Sequence, residues 1–197
     1  MISLALMLGW FRLEKIEFRI SDYKELSLAL RHPQSRLLET QRDASVRIDT
    51  LETPMARFAP GLSLKYRGTI PNQHGLTLDG DRFTGISPLI PESLSPYLRY
   101  LPEWILFFEQ SPPDNVLIMK TIGGQQALAS VEAGVSSITV QTPYKQLAQK
   151  LKNSNRFPQI KVRSLGSRAM LAETCAEPCQ IEAVSYTHLT LPTPPYV

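Results

Sequence analysis

An alternation of strand-like and helix-like segments from position 116 onward constrains the fold of this 197-residue chain more than any other feature. The run VLIM at 116–119 is short and wholly apolar, as in a parallel strand that is covered on both faces. Helix-like and strand-like segments then alternate at 123–134, 136–140, 143–154, 160–165 and 167–175, and CQIEA begins a further strand. This order predicts an α/β fold with a doubly wound parallel sheet. Ligands bind such sheets beyond the carboxyl ends of the strands, here in the loops after Met119, Val140 and Leu165.

Glycine and proline mark the helix ends in this region. Gly134 is expected to close the helix at 123–134, since glycine favours the position after a helix. Pro143 suits the first position of the next helix, whose late turns are rich in lysine.

The region before the alternation, 21–90, carries short strand-like segments that turn residues separate. These segments are RLLET at 36–40, SVRIDTLET at 45–53 and LSLKY at 62–66, and an Asp79-Gly80 turn suits a hairpin. We therefore predict a small antiparallel β module. Between 91 and 108 apolar residues recur every three or four positions, which predicts an amphipathic helix that Pro102 interrupts.

The first eleven residues, MISLALMLGWF, are apolar and uncharged. As a helix they would rise roughly 16 Å, about half of a bilayer core. Two interpretations stay open: a buried helix, or the last turns of a membrane helix. The domain organisation that we predict is an apolar segment at 1–20, a β-rich module at 21–90, a truncated Rossmann-like domain at 91–183 and a separate tail at 184–197.

Charge and composition exclude several functions. The net charge of +3 is mild, and no cluster of basic residues with interleaved aromatics indicates a nucleic-acid partner. Cys175 and Cys179 are four residues apart, which fits neither a CxxC redox motif nor a zinc pair, so we expect reduced thiols. Outside the tail the histidines are His32 and His74, so we expect no metal site.

The last fourteen residues, VSYTHLTLPTPPYV at 184–197, resemble translated sequencing-adapter DNA. Fused segments of this kind are set aside before the fold is considered. On this interpretation the natural gene continues beyond Ala183 and the chain is a fragment; the alternative is an ordinary proline-rich tail. The pattern VSYTHLTL alternates enough to mimic a strand.

Several segments together resemble the spermidine synthase family, and most closely its bacterial members in which this domain follows membrane helices. They are SDYKELSLALRHPQSRLLE, APGLSLKY, LTLDGD, VLIMKTIGGQQAL, ITVQTPY and PQIKVRSLGSR, in the family's order and spacing over nearly all of 20–183. The resemblance implies a β module followed by a Rossmann-type site for S-adenosylmethionine or its decarboxylated form. It also implies aminopropyl transfer to putrescine, and a homodimer formed through the β modules.

The resemblance places the family's cofactor-binding positions on Gly123, Gly124 and Gln141. The glycine loop falls on 120–124, where Lys120 and Ile122 replace glycines. Ile122 is the harder replacement to accommodate, because β-branched residues resist positive φ. The positive charge of Lys120 disfavours a sulfonium. Gln141 stands where the family has an acid that binds ribose hydroxyls, and its amide accepts such bonds without charge assistance.

Other family positions also depart from the pattern. The acid that contacts adenine falls on Gly166, and the acceptor-binding positions fall on Phe83 and 94–96. The two aspartates of the fourth strand fall on Gln180 and Ser185, the second of which is the family's catalytic position. No catalytic residue is therefore assigned.

Two main functions follow. The departures at Ile122, Gln141 and Gly166 fall in one pocket, which favours a non-catalytic binding or interaction module of a membrane-associated protein, cytoplasmic and tethered to the inner membrane. The alternative is an active aminopropyl- or methyltransferase that holds the sulfonium cofactor over Gly123 and Gly124. A nucleotide phosphate at Lys120 and the helix start is a further class of ligand.

Overall fold

The computed structural model describes residues 20–42, 44–108, 112–174 and 183–186. The apolar segment 1–11, both cysteines, Gln180 and His188 lie outside these residues. Interpretations that depend on them stay predictions.

The N-terminal part forms one helix and a four-stranded antiparallel sheet. The strands follow one another in the order β1-β2-β3-β4, so each connection joins neighbours. Strand β1 lies at the edge and is exposed along nearly all of its length, whereas the middle of β2 is buried. The elements are α1 (Glu25–Arg31), β1 (Arg36–Arg42), β2 (Arg47–Glu52), β3 (His74–Leu78) and β4 (Asp81–Ile86).

The predicted hairpin at Asp79-Gly80 is confirmed. Leu78 pairs with Asp81, so the loop has two residues, and Asp79 and Gly80 have φ of 54° and 77°. Positive φ at both positions defines the turn type that matches the twist of paired strands.

The strand predicted at 62–66 is wrong. Ser63 N–H donates to the Tyr100 carbonyl at 3.0 Å, and the rings of Tyr66 and Tyr100 lie 5.2 Å apart. Leu64 is 93% exposed, so its apolar side chain has no sheet face to cover. The segment therefore packs as turns against the chain that follows β4.

The amphipathic helix predicted at 91–108 is also wrong, because three 3-10 segments replace it: Pro91–Ser93, Pro96–Tyr100 and Pro102–Phe107. Each begins with a proline, which lacks an N–H and forces the preceding residue out of the helical region. Ile90, Ser95 and Leu101 are accordingly extended, with ψ of 155°, 148° and 152°. The apolar spacing still buries Tyr97, Leu98 and Leu101.

The C-terminal part is a parallel sheet with the strand order β7-β6-β5-β8, which confirms the α/β class and the Rossmann-like arrangement. Its elements are β5 (Asn115–Met119), α2 (Gln125–Glu132), β6 (Ser137–Thr142), α3 (Lys145–Ser154), β7 (Ile160–Ser164), α4 (Ser167–Thr174) and β8 (Ala183–Tyr186).

One helix boundary differs from the sequence prediction. Helix α3 begins at Lys145, because Tyr144 is still extended, so Pro143 precedes the helix by two residues. Strand β8 contains 184–186, which pair in parallel with 117–119. The adapter origin of these three residues stays a prediction, since an alternating sequence of any origin suits a strand.

One apolar cluster joins the two sheets. It contains Ile48 and Leu76 from the antiparallel sheet, Ile118 and Ile138 from the parallel sheet, and Leu128 from α2. The shared core holds the end of β4 against the loop that follows β5. Within the described part of the chain, every helix is too short or too polar to cross a membrane.

Candidate functional site

The candidate site lies where the strand order of the parallel sheet reverses. β6 and then β7 are added on one side of β5, and β8 is added on the other side. Such a switch point leaves a crevice at the carboxyl ends of the strands, where ligands bind. The structure brings Gly123 and Gly124, which follow β5, to the same edge as Gln141, which lies near the end of β6.

Gln141 is fully buried, and both ends of its side-chain amide bind main-chain groups. Its Oε1 accepts a hydrogen bond from the Lys120 N–H at 2.9 Å. Its Nε2 donates to the carbonyl oxygen of Leu165. The side chain therefore ties the loop after β5 to the loop after β7, which are the two walls of the predicted cofactor edge.

The main chain of Gln141 strengthens the same connection. Its carbonyl oxygen accepts a hydrogen bond from the Thr121 N–H at 3.2 Å. The first two residues of the predicted cofactor loop are thus held by one residue of β6.

The backbone strain of the loop falls on Lys120 and not on Ile122, which the sequence indicated as the harder replacement for glycine. Lys120 has a φ of 55°, in the left-handed region, whereas Ile122 does not have positive φ. The left-handed conformation costs a residue with a side chain about 1–2 kcal/mol. Ile122 instead packs against the main apolar core.

Gly123 closely approaches the protein's own backbone. A Cβ at this position would lie 2.4 Å from the carbonyl oxygen of Gly85, at the end of β4. The Gly123 carbonyl oxygen also accepts a hydrogen bond from the Ser87 N–H at 3.0 Å. The space that a side chain would need here is therefore filled by the antiparallel sheet.

Gly124 has a φ of 77° and immediately precedes α2. A Cβ there would lie 3.2 Å from Leu89 Cδ2. Glycine at this position is required by the turn, because the left-handed region excludes most side chains. Packing at Gly123 and backbone conformation at Gly124 thus explain both glycines without a ligand.

Two threonine hydroxyls at this edge are buried and have no hydrogen-bond partner among the described residues. They are Thr121 Oγ1, in the loop after β5, and Thr142 Oγ1, at the end of β6. A buried hydroxyl without a partner costs free energy. Both hydroxyls could therefore form hydrogen bonds with a bound molecule.

The structure also describes three other positions that the resemblance assigned. Gly166 has open space around it, with no atom within 4 Å of a Cβ built there. Phe83 packs beside the small cluster under α1, and its N–H donates to Glu25 Oε2. Ser185 lies within β8 opposite Ile118.

A buried polar network beside the glycine loop was missed by the sequence analysis. Gln73 donates to Ser87 Oγ at 3.3 Å and to the Phe58 carbonyl at 3.1 Å. Gln125 donates to the same carbonyl and to Tyr97 Oη at 3.4 Å. The position of Gln125 directly after the two glycines was the one sequence feature that pointed to this network. Its partners are far apart in the sequence, so no local pattern predicted them.

Burial raises the pKa of the Tyr97 phenol, and hydrogen bonds with Gln125, Ser87 and Gln73 partly offset this effect. The phenol is therefore neutral at physiological pH. The network joins the antiparallel sheet to the start of α2 without a buried charge.

Metal-ligating side chains do not cluster in the described ranges, where no group of three or more His, Cys, Asp or Glu residues comes together.

Two positions that the resemblance assigned to S-adenosylmethionine or its decarboxylated form make contacts within the protein. The side-chain amide of Gln141, the position that the resemblance assigned to ribose, hydrogen-bonds with Lys120 and Leu165. Gly123 packs against the backbone of Gly85 on the side where a Cβ would lie. A ligand that binds the Gln141 amide would compete with these two hydrogen bonds.

These features define an α/β protein with Rossmann-like strand order. At its candidate site the Gln141 side chain connects the loops after β5 and β7. Among solved structures, the spermidine synthase from Thermotoga maritima aligns with a TM-score of 0.44 and 15% identity, over 70% of this chain and 44% of that chain. A spermidine synthase in complex with the transition state analogue AdoDATO aligns with the same TM-score and identity, over 70% of this chain and 42% of that one.

This chain thus spans less than half the length of each of these two synthases. No protein-family model matches the chain, and no curated protein matches it significantly.

Proposed function

We propose that this chain is a Rossmann-like domain that serves as a non-catalytic binding or interaction module of a membrane-associated protein. Its sheet edge does not hold S-adenosylmethionine or decarboxylated S-adenosylmethionine. The observation that carries this proposal is the Gln141 bridge, in which both ends of the amide bind main-chain groups.

The magnitudes favour the bridge over a ligand. If Gln141 turned to accept a ribose hydroxyl, the Lys120 N–H and the Leu165 carbonyl would lose their partner. Each orphaned group costs about 1–3 kcal/mol, whereas a neutral hydrogen bond to a ligand returns about 0.5–1.5 kcal/mol. The exchange is unfavourable, so cofactor binding here would begin with a net loss.

An active aminopropyl- or methyltransferase is the second candidate. It is supported by the tight turn at Gly123 and Gly124 and by the unpartnered hydroxyls of Thr121 and Thr142 at the same edge. Those hydroxyls would be the groups available to a ligand that leaves Gln141 in place.

Calorimetry with S-adenosylmethionine and with its decarboxylated form separates the two functions. We expect no binding heat from the unaltered chain. Saturable micromolar binding by that chain would contradict the proposal and support a transferase.

A Gln141→Glu variant refines this experiment, because its carboxylate restores the acid of the resembled family while breaking the donor bond to Leu165. Cofactor binding by this variant alone would locate the lost site at position 141. Gln149→Glu, which places the same added charge on α3, is the matched control and should give no heat.

A further inference from the structure

A groove of about 570 Å³, lined by residues with polar side chains, runs between the edge strand β1 and helix α3. This volume is within the range of about 300–1,000 Å³ that ligand sites have. β1 belongs to the antiparallel sheet and α3 to the parallel sheet, so the groove exists only in the assembled fold. Its lining residues are Glu39, Gln41, Gln146, Gln149, Lys150, Asn153 and Ser154.

Helix α3 divides its two faces between the core and the groove. Leu147, Ala148 and Leu151 are buried in the core. The groove residues of α3 follow the spacing i, i+3, i+4, i+7 and i+8 from position 146, which places them on one face. A polar helix face of this kind ordinarily meets water, but here it forms a wall opposite β1.

The lining is rich in amides and carries no net charge. Its single ammonium, Lys150, lies 2.9 Å from its single carboxylate, Glu39, and 2.9 Å from Thr50 Oγ1. Hydrogen bonds from Lys150 and Gln41 hold the pKa of Glu39 below its usual value, so the carboxylate stays charged and paired. The groove therefore offers hydrogen bonds and does not select a charged ligand.

One side-chain amide on the α3 side of the groove has an acceptor that forms no hydrogen bond. Gln146 Oε1 is buried and has no hydrogen-bond partner among the described residues. In contrast, Gln149 donates to Asn153 Oδ1 at 2.7 Å. The groove thus contains a buried acceptor that a donor from a bound molecule would satisfy.

The other wall is a sheet edge. Among the described residues β1 pairs with β2 alone, and its residues are exposed at nearly every position. A strand at the edge presents main-chain N–H and C=O groups to an incoming chain. A bulge between Leu37 and Glu39 bends the strand, so the regular stretch beside the groove is 39–42.

We propose that this groove binds an extended, uncharged peptide segment, which pairs with β1 as an added strand and places alternate side chains against the amides of α3. Addition of a strand to a sheet edge is an established mode of peptide recognition. Ten helical residues rise about 15 Å, which matches four to five extended residues at about 3.3 Å each. The inference gives the proposed interaction module its partner, and it rests on that proposal for its biological role only.

The test begins with selection of random heptapeptides on the immobilised full chain. A selected peptide is then synthesised in two N-methylated forms, each with methyl groups on alternate residues, and its affinity is measured by fluorescence anisotropy. Only every second residue of an added strand pairs with β1. We expect one methylated form to bind about ten-fold more weakly, because it loses main-chain hydrogen bonds, and the other to bind as the parent does.

Variants of α3 complete the test, with circular dichroism as the check of folding. Gln149→Ala combined with Asn153→Ala should weaken the selected peptide about five-fold. Lys152→Ala, on the same helix but outside the groove, should leave its affinity unchanged.

Four results would overturn the proposal: no enriched peptide, equal effects of the two methylated forms, full affinity in the Gln149/Asn153 variant, or sedimentation showing that a second copy of the chain already pairs with β1. None of these results depends on the cofactor calorimetry. Failure of the groove and failure of the proposed cofactor-free edge are therefore distinguishable.

Discussion

The side-chain oxygen of Gln141 accepts a hydrogen bond from the main-chain N–H of Lys120 at 2.9 Å. The same side chain donates to the carbonyl of Leu165, so one amide connects the ends of three neighbouring strands. An amide suits this role because it is donor and acceptor at once, whereas a carboxylate only accepts.

Removal of the bridge should destabilise the fold. In Gln141→Ala the Lys120 N–H and the Leu165 carbonyl lose their partner, and we expect the free energy of unfolding to fall by about 1–3 kcal/mol. Urea denaturation measures the change. Gln149→Ala removes an exposed amide and should change stability by less than about 0.5 kcal/mol; equal stability of the two variants would contradict the bridging role.

The glycines at positions 123 and 166 should respond oppositely to the same substitution. Gly123→Ala places a Cβ 2.4 Å from the Gly85 carbonyl oxygen and should cost about 1–3 kcal/mol through overpacking. Gly166→Ala meets no atom within 4 Å and should change stability by less than about 0.5 kcal/mol. Thermal unfolding of both variants checks this, and a tolerated Gly123→Ala would refute the close packing of the loop on β4.

Strain at position 120 is testable by comparison of two variants that both lack the lysine side chain. Lys120 has a φ of 55°, which glycine adopts without cost. We therefore expect Lys120→Gly to be more stable than Lys120→Ala by about 1 kcal/mol. Chemical denaturation gives the difference, and a more stable alanine variant would show that the left-handed conformation is not retained.

The burial of Tyr97 should make the stability of the fold depend on pH in the alkaline range. The folded state raises the pKa of this phenol, whereas in the unfolded chain it ionises near pH 10, about its ordinary value. Below that pH the contribution of Tyr97 to stability does not vary with pH; as pH rises from there toward the folded pKa, the unfolded state alone releases the proton and stability falls.

Tyr97→Phe should therefore lose stability less steeply than the parent chain in this alkaline range. Denaturation at a series of pH values measures the slope. Tyr23→Phe removes an exposed phenol and serves as the control. Identical slopes for Tyr97→Phe and the parent would refute the contribution of Tyr97.

Local patterns predicted the parallel sheet and the Asp79-Gly80 hairpin, because alternating elements and two-residue turns are encoded in short stretches of sequence. At 91–108 the apolar spacing predicted a helix wrongly, since 3-10 turns and α-helices share a spacing of three to four residues and the prolines decide between them. At 62–66 the apolar alternation was present, but a strand also needs a neighbour, and Tyr100 provided a different contact.

The location of the candidate site could be predicted from the sequence, but the contacts that its residues make within the protein could not. The positions of Gly123, Gly124 and Gln141 at one edge follow from strand order. The hydrogen bonds of Gln141 with Lys120 and Leu165 could not be predicted from strand order, because they depend on the distance between two loops in the folded chain. The contact of Gly123 with Gly85 likewise joins two sheets that the sequence predicted as separate modules.

The most direct test of the account is the NMR signal of the Gln141 side-chain amide in an ¹⁵N-labelled sample, assigned with the Gln141→Ala variant, during titration with S-adenosylmethionine and its decarboxylated form. The bridge predicts slowly exchanging amide protons whose shifts stay unchanged at millimolar ligand. A saturable shift of this signal with either molecule would contradict the claim that Gln141 holds the edge closed to the cofactor.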